Sequence, residues 1–227
     1  MENINVFKRY ETKYVLSPEK KSAILGEIKK RCRPDPHGDS TVRNIYFDTE
    51  NYLLIRNSIE KPVYKEKFRI RAYKTADDDT EVFAEIKKKY RSVVYKRRVS
   101  VSWKRAKEFI ENGTPLSDSQ IGREIEYFFK LYGTLRPVMF ISYDRVAFYE
   151  GEFKITFDEN IRYRECDLSL GKEPDGKRIL TDGFTVMELK TPEAIPLWMI
   201  RLLSENRIYK TSFSKYGEAY KSMIRGE

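Results

Sequence analysis

Histidine is almost missing from this chain of 227 residues: His37 stands alone, in a Pro-Asp-Pro-His-Gly segment that reads as a turn. A Ser-His-Asp triad and a polyhistidine metal centre are therefore not expected. Cysteine is nearly as scarce. Cys32 and Cys166 lie far apart and form no CxxC pair, which fits two ordinary thiols in a reducing compartment better than a disulfide framework or a thiolate zinc site. No window approaches the ~18 uninterrupted apolar residues of a membrane-spanning helix, and the segment from Met1 to Arg9 has no apolar stretch of the secretory type. A soluble, cytoplasmic protein is expected. Repeats, linkers and low-complexity stretches are also missing, so residues 1–227 read as one domain.

What the chain does contain is charge. Lys and Arg number 44 against 35 Asp and Glu, a formal net charge of +9, which favours anionic partners: nucleic acid, acidic lipid or phosphorylated small molecules. With 40% hydrophobic and 14% aromatic residues, a sizeable core can form.

The spacing predicts strands over 6–15, 41–48, 63–74, 80–90, 92–102, 137–149, 152–158 and 184–190. The acidic run from Ala76 to Asp79 supplies a hairpin turn. Helices are predicted after Ser17-Pro18, from Trp103 to Gly113, after a Ser117 to Gln120 capping box, at Pro196, and after Ser214. Strands dominate, so an antiparallel α+β fold is expected. The segment from Gly171 to Arg178 imitates a phosphate-binding P-loop up to Lys177. However, Arg178 replaces the magnesium-binding hydroxyl and no helix follows, so it reads as a polar loop.

The charged residues follow the strand period. Lys65, Lys67, Arg69 and Arg71 take every second position, with Phe68, Ile70 and Ala72 as apolar alternates, and Glu85, Lys87 and Lys89 repeat the arrangement. Alternate strand residues share a face, so such rows bring like charges within about 7 Å of one another. One row of this kind is an ordinary solvated sheet face. Across six strands, with few Ser, Thr or Gln among the cations, a different architecture is expected: a closed sheet of about eight strands with a polar cationic interior and helices packed outside. Converging cations repel one another strongly in low dielectric, so such an interior implies a polyanionic ligand, with carboxylates placed for a divalent metal.

In order along the chain stand Arg9-Tyr-Glu11-Thr-Lys13, Arg43-Asn-Ile-Tyr46-Phe-Asp48, Lys67-Phe-Arg69-Ile-Arg71, Glu85-Ile-Lys87, Tyr95-Lys96-Arg-Arg98, Ser142-Tyr143-Asp-Arg145, Glu188-Leu-Lys190 and Ser212-Phe-Ser214-Lys215. The set, spread over about residues 7 to 220, resembles the VTC catalytic domain, the polyphosphate polymerase branch of the triphosphate tunnel metalloenzymes in the CYTH-like superfamily. The resemblance implies a tunnel that takes ATP or another nucleoside triphosphate together with polyphosphate or pyrophosphate. Its catalytic cations would be Lys13, Arg69, Arg71, Lys87, Lys96, Arg145 and Lys215. Further substrate contacts would come from Arg9, Arg43, Lys67, Arg98, Tyr143, Arg162, Lys190 and Ser214. Glu188 would bind the activating Mn²⁺ or Mg²⁺, with Glu11 and Glu85 as further metal or cation partners. The family often carries a lysine where this chain has Ser212, and Lys210 is expected to substitute for it.

Phosphoryl transfer depends on positioning and charge neutralisation, so a shortage of histidine costs such an enzyme nothing. Two other functions suit the same features. One is hydrolysis of triphosphate, with Glu11 or Glu85 orienting a water. The other is non-catalytic binding of polyphosphate or RNA, although nucleic acid is the weaker expectation because the 16 tyrosines and 13 phenylalanines form no RNA-stacking signature.

Overall fold

A computed structural model of the protein describes residues 6–36, 39–91 and 93–226, with side chains from Arg9 onward. The turn predicted at His37 and the strand start predicted at Ser92 lie outside the described residues. The described strands are β1 (Val6–Leu16), β2 (Arg33–Pro34), β3 (Ser40–Asp48), β4 (Tyr64–Ala72), β5 (Glu81–Tyr90), β6 (Val93–Ser102), β7 (Arg136–Glu150), β8 (Phe153–Arg164), β9 (Lys177–Arg178) and β10 (Thr185–Thr191). The helices are α1 (Pro18–Arg31), α2 (Leu53–Ile59), α3 (Trp103–Asn112), α4 (Gln120–Tyr132), α5 (Leu197–Glu205) and α6 (Lys215–Arg225). Among the described residues, no helix is long and apolar enough to cross a membrane.

All strand pairs are antiparallel, in the order β2-β7-β3-β4-β5-β6-β1-β10-β8-β9, and β7 also pairs with β8. The second pairing joins the ends of the row, so β7, β3, β4, β5, β6, β1, β10 and β8 close into a ring. The α+β fold with a closed antiparallel sheet is thus the one observed. Local chemistry sets its turns. Thr80 Oγ1 donates to Asp77 Oδ1 at 2.6 Å in the acidic turn between β4 and β5, and Arg91 at φ 52° and Gly151 at φ 56° reverse the next two hairpins.

Two apolar layers lie outside the ring. Ile45, Phe47, Phe68, Ile70, Ala84 and Ile86 on β3, β4 and β5 pack beneath Trp103, Phe109, Ile125 and Phe128 of α3 and α4. Tyr14, Ile155, Phe157, Met187 and Leu189 on β1, β8 and β10 pack beneath Ile24 and Ile28 of α1 and Met199 and Leu203 of α5. Each fully buried side chain of this size stabilises the fold by about 1.5–3 kcal/mol. These are the outward helices the sequence predicts. Helix α6 differs: its Tyr216, Ala219 and Tyr220 pack against Val42, Tyr46, Ile141, Tyr143, Ile161 and Tyr163, residues on the inner faces of β3, β7 and β8.

Two helix starts depart from expectation. Helix α4 begins two residues later than the Ser117 capping box implies. Ser119 caps it by accepting from Gly122 N at 3.1 Å, and Ser117 Oγ instead lies 2.6 Å from Ser119 Oγ. A Cβ on Gly122 would stand 2.1 Å from the Ser117 carbonyl oxygen, so this entry demands glycine. Helix α2 was not predicted, and its cap comes from outside its own first turn: Asp48 accepts from Leu54 N at 2.8 Å and Ile55 N at 3.0 Å. Asp48 also accepts from the Tyr216 hydroxyl at 2.8 Å, tying α2 and α6 to one carboxylate.

Candidate functional site

The inner faces of the strands enclose a cavity of about 440 Å³. Pleating aims Lys65, Lys67, Arg69 and Arg71 of β4, Lys87 and Lys89 of β5, Lys96 of β6, Lys13 of β1, Glu188 and Lys190 of β10, and Tyr143 and Arg145 of β7 into this space. Arg9 and Glu11 of β1 join them, and the α6 entry adds Lys210, Ser214 and Lys215. Among the described residues, the lining carries thirteen Lys and Arg but two carboxylates, Glu11 and Glu188. That excess calls for an anion of high charge.

Eleven of these cations fall into two groups. In one, each faces a carboxylate. Arg69 Nε donates to the buried Glu85 at 2.8 Å, and Lys96 approaches the other oxygen of that carboxylate. Lys87 meets Glu11 at 2.6 Å, with Arg9 at 3.5 Å. Glu188 gathers Lys13 at 3.0 Å, Lys190 at 3.1 Å, Lys215 at 3.8 Å and Arg145 at 4.0 Å. Asp158 on β8 takes a two-point contact from Arg145 at 2.6 and 2.8 Å, and Lys215 at 2.5 Å. In the other group the donors meet neutral oxygens. Arg71 donates to Asn44 Oδ1 and the Tyr143 hydroxyl, both at 2.9 Å. Lys67 donates to Ser214 Oγ at 3.0 Å, and Lys65 to the Ser58 carbonyl at 2.9 Å.

Burial and neighbours together set the protonation of these groups. Burial opposes ionisation of Glu188, but Lys13, Lys190, Lys215 and Arg145 hold its pKa well below the carboxylate range. Glu85 is held low in the same way by Arg69, Lys96 and Arg71, and Asp158 by Arg145 and Lys215, to about 2. Burial wins at Lys96 and Lys190, whose pKa values fall to about 7 despite Glu85 and Glu188 beside them. Lys67 is also pushed well below its ordinary value, first by burial and then by Lys13, Lys65 and Lys87.

Most of the site residues named from the sequence meet in this cavity, but four stand elsewhere. Arg43 lies on the outer face of β3 with Ile45 and Phe47, donating to the Thr41 carbonyl at 3.2 Å. Arg162 donates to the Gly176 carbonyl at 3.1 Å. A bulge explains this: between Ser142 and Asp144 of β7, β8 runs from Arg162 to Glu159, and Asn160 takes φ 48°. The extra residue turns Ile161 and Tyr163 inward and Arg162 outward. Arg98 keeps the inner parity but sits over the Phe83 ring at 4.6 Å, outside the cavity lining. Glu85 lies behind Arg69 and Lys96, fully buried.

Sequence reasoning did not select Asp158, Asn44 or Tyr46. Asp158 shares the alternation of Lys154 and Thr156, so its period was visible in the sequence although its partners were not. Tyr46 accepts from Arg69 Nη1 at 3.1 Å. The P-loop-like segment is a surface loop up to Gly176, as expected, but its last two residues form β9 against β8; the loop is held by Arg164, which donates to the Glu173 carbonyl at 2.9 Å and to Asp175 at 2.7 Å.

Chemically, the arrangement can bind several linked phosphates and neutralise charge that develops on them. Among the described residues, no three His, Cys, Asp or Glu cluster as ready metal ligands. A hard cation would therefore rest on Glu188 and Glu11, with phosphate or water oxygens completing its shell.

A profile of the VTC domain matches residues 8–224. Among solved structures, a candidate adenylate cyclase from Bacillus halodurans superposes with a TM-score of 0.59 at 12% identity, covering 93% of this chain and 96% of its own. A candidate adenylyl cyclase from Hippeastrum, described as having a dominant triphosphatase activity, gives 0.56 at 16% identity, covering 96% of each chain. Both share this fold. No curated protein matches the sequence.

Proposed function

The chain belongs to the VTC domain family, and from that premise we propose that it is a polyphosphate polymerase, moving the terminal phosphoryl group of ATP onto a growing phosphate chain inside the ring. The supporting observation is the cavity itself, where, among the described residues, thirteen cations converge around two lining carboxylates. The matched span fills nearly the whole chain, which supports one domain over residues 1–227.

In this reading Arg69, Arg71, Lys96 and Arg145 hold the triphosphate, the arginines with two-point contacts and the lysine as a point charge. Lys13, Lys87, Lys190 and Lys215 line the acceptor chain, with Lys67, Arg9 and Lys210 beside them. Tyr143 and Ser214 hydroxyls contact phosphate oxygens. The terminal oxygen of the acceptor chain, already ionised, attacks the γ phosphorus; the bond to the oxygen that bridges β and γ breaks, and ADP leaves with that electron pair. No general base is needed, which suits a site without histidine.

Glu188 and Glu11 fit a divalent ion because both offer hard oxygen donors and Glu188 stays ionised in spite of burial. A bound Mg²⁺ or Mn²⁺ would supply charge neutralisation at the donor's phosphate oxygens. The test is incubation with ATP and Mn²⁺, followed by sizing of the products on a gel. Chains longer than the starting phosphate support the polymerase. Orthophosphate without chain growth assigns the lumen to triphosphate hydrolysis, and binding without turnover assigns it to a non-catalytic phosphate-binding module.

A further inference from the structure

The register between β4 and β5 places Lys65 opposite Lys89 and Lys67 opposite Lys87, two successive like-charge pairs on the inner face. Directly opposed like charges destabilise a sheet unless something compensates them. Glu11 compensates Lys87. The other three lack such a neighbour: Lys67 has the Ser214 hydroxyl and Lys65 the Ser58 carbonyl. The Lys89 ammonium, on a strand paired to both neighbours, has no hydrogen bond or ion pair with a described side chain. Lys61, in the turn ahead of β4 at φ 55°, adds its charge at the same place. Burial first, and then Lys89, Lys61 and Lys13, lower the pKa of Lys65, so these amines are close enough to repel one another. Lys67 and Lys87 mark the direction inward, and Lys61, which is exposed, marks the mouth.

We infer that Lys61, Lys65 and Lys89 form a chain-binding subsite at the mouth of the lumen, which takes the phosphate units of an oligophosphate that lie beyond those gripped inside. This rests on reading the lumen as a triphosphate site and adds a direction to it: the chain passes the β4 and β5 side of the mouth. A polyanion lying between Lys65 and Lys89 turns a repulsive cross-strand pair into a two-sided contact. Affinity should therefore rise with chain length past three phosphates.

The test compares inorganic tripolyphosphate with a length-defined long-chain polyphosphate, by calorimetry, on the full chain and on a Lys65→Ser/Lys89→Ser variant. The unmodified protein should bind the long chain at least about tenfold more tightly, the equivalent of one or two charged contacts. The variant should lose most of that preference, its long-chain affinity falling at least about threefold further than its tripolyphosphate affinity. Its melting temperature should hold or rise, because an opposed like-charge pair is gone. If it falls instead, Lys61→Ser, at an exposed position, carries the same comparison. Equal losses for both anions, or a long chain bound no more tightly by the unmodified protein, overturn the subsite and leave the lumen reading standing. If neither anion binds the unmodified protein, the lumen reading falls, and the subsite with it.

Discussion

The two sides of the lumen are built on different electrostatic terms. On the β1 and β10 side, Lys13, Lys190 and Lys215 converge on Glu188 at 3.0 to 3.8 Å, so each of these cations already faces a carboxylate before any ligand arrives. On the β4 side, Lys65, Lys67 and Arg71 donate only to neutral oxygens. The balanced side holds the ring together and can release charge to a ligand by exchanging partners. The unbalanced side is left in deficit, and an anion is what corrects it. Stability and binding should therefore separate by wall.

The sharpest way to break that contrast is Glu188→Ala. Removing one partner from a buried charge cluster costs about 3–5 kcal/mol, so a melting temperature lower by about 10 °C is expected for a chain of this size, together with loss of metal-dependent turnover. A variant with unchanged melting and full turnover would show that the balanced wall does neither job. Next, Arg71→Gln on the opposite wall should weaken tripolyphosphate binding by about 10- to 100-fold, the range for a charged hydrogen bond. Its melting point should fall by less than that of Glu188→Ala, because relief of repulsion with Arg69 offsets part of the lost contacts to Asn44 and Tyr143. Equal damage to stability and affinity would erase the distinction.

A third test uses pH. Lys96 is faced by Glu85, Arg69 and Arg71, and Lys190 by Glu188, Glu11, Arg145, Arg9 and Thr156. In the free protein both titrate near 7, below the ordinary lysine range. The cost of charging them in the fold is thus fully present below pH 7 and is relieved as pH rises towards the unfolded value of about 10.4, so unliganded stability should gain over that window. A bound polyanion raises both values, so binding should take up protons and weaken as pH rises from about 7 to 9, where terminal phosphates, with a pKa of about 6, are already ionised. Calorimetry in buffers of different ionisation enthalpy measures the uptake, and zero uptake at pH 8 would remove both lysines from the binding account. Smallest of all, Arg162→Ala should change tripolyphosphate affinity by less than about twofold, well under the effect of one contact, because the bulge turns that side chain outward.

Much of this was legible in the chain because period-two alternation survives wherever one strand face is apolar and the other charged, as in β4. It failed where both faces are buried. In β3, Val42 to Asp48 are all buried, so nothing in the pattern shows that Arg43 points away from Asn44 and Tyr46. The bulge at Asn160 could not be read either: Asp158-Glu-Asn looks like the end of a strand, and the residue that flips the parity of Arg162 is set by pairing with β7. Helix α2 escaped for a related reason, since its seven residues are too short for a helical period to show and its cap is Asp48, in the preceding strand. Glu85 was named as a metal or cation partner, and the structure puts it between two cations, a distinction that sequence spacing does not carry.

The position of β1 has a kinetic consequence. Val6–Leu16 bridges β6 and β10, pairing Tyr10 with both Val93 and Thr191, so the first strand made is locked only after the last strand exists. Loop-closure entropy over such separations makes these pairings slow. During synthesis, the rows of lysine and arginine must wait in solvent as an open, strongly cationic ribbon. Closing it drives like charges together, which raises the barrier further. A polyanion present at that moment would act as a template for closure, so refolding should be fastest in solutions that already contain phosphate chains.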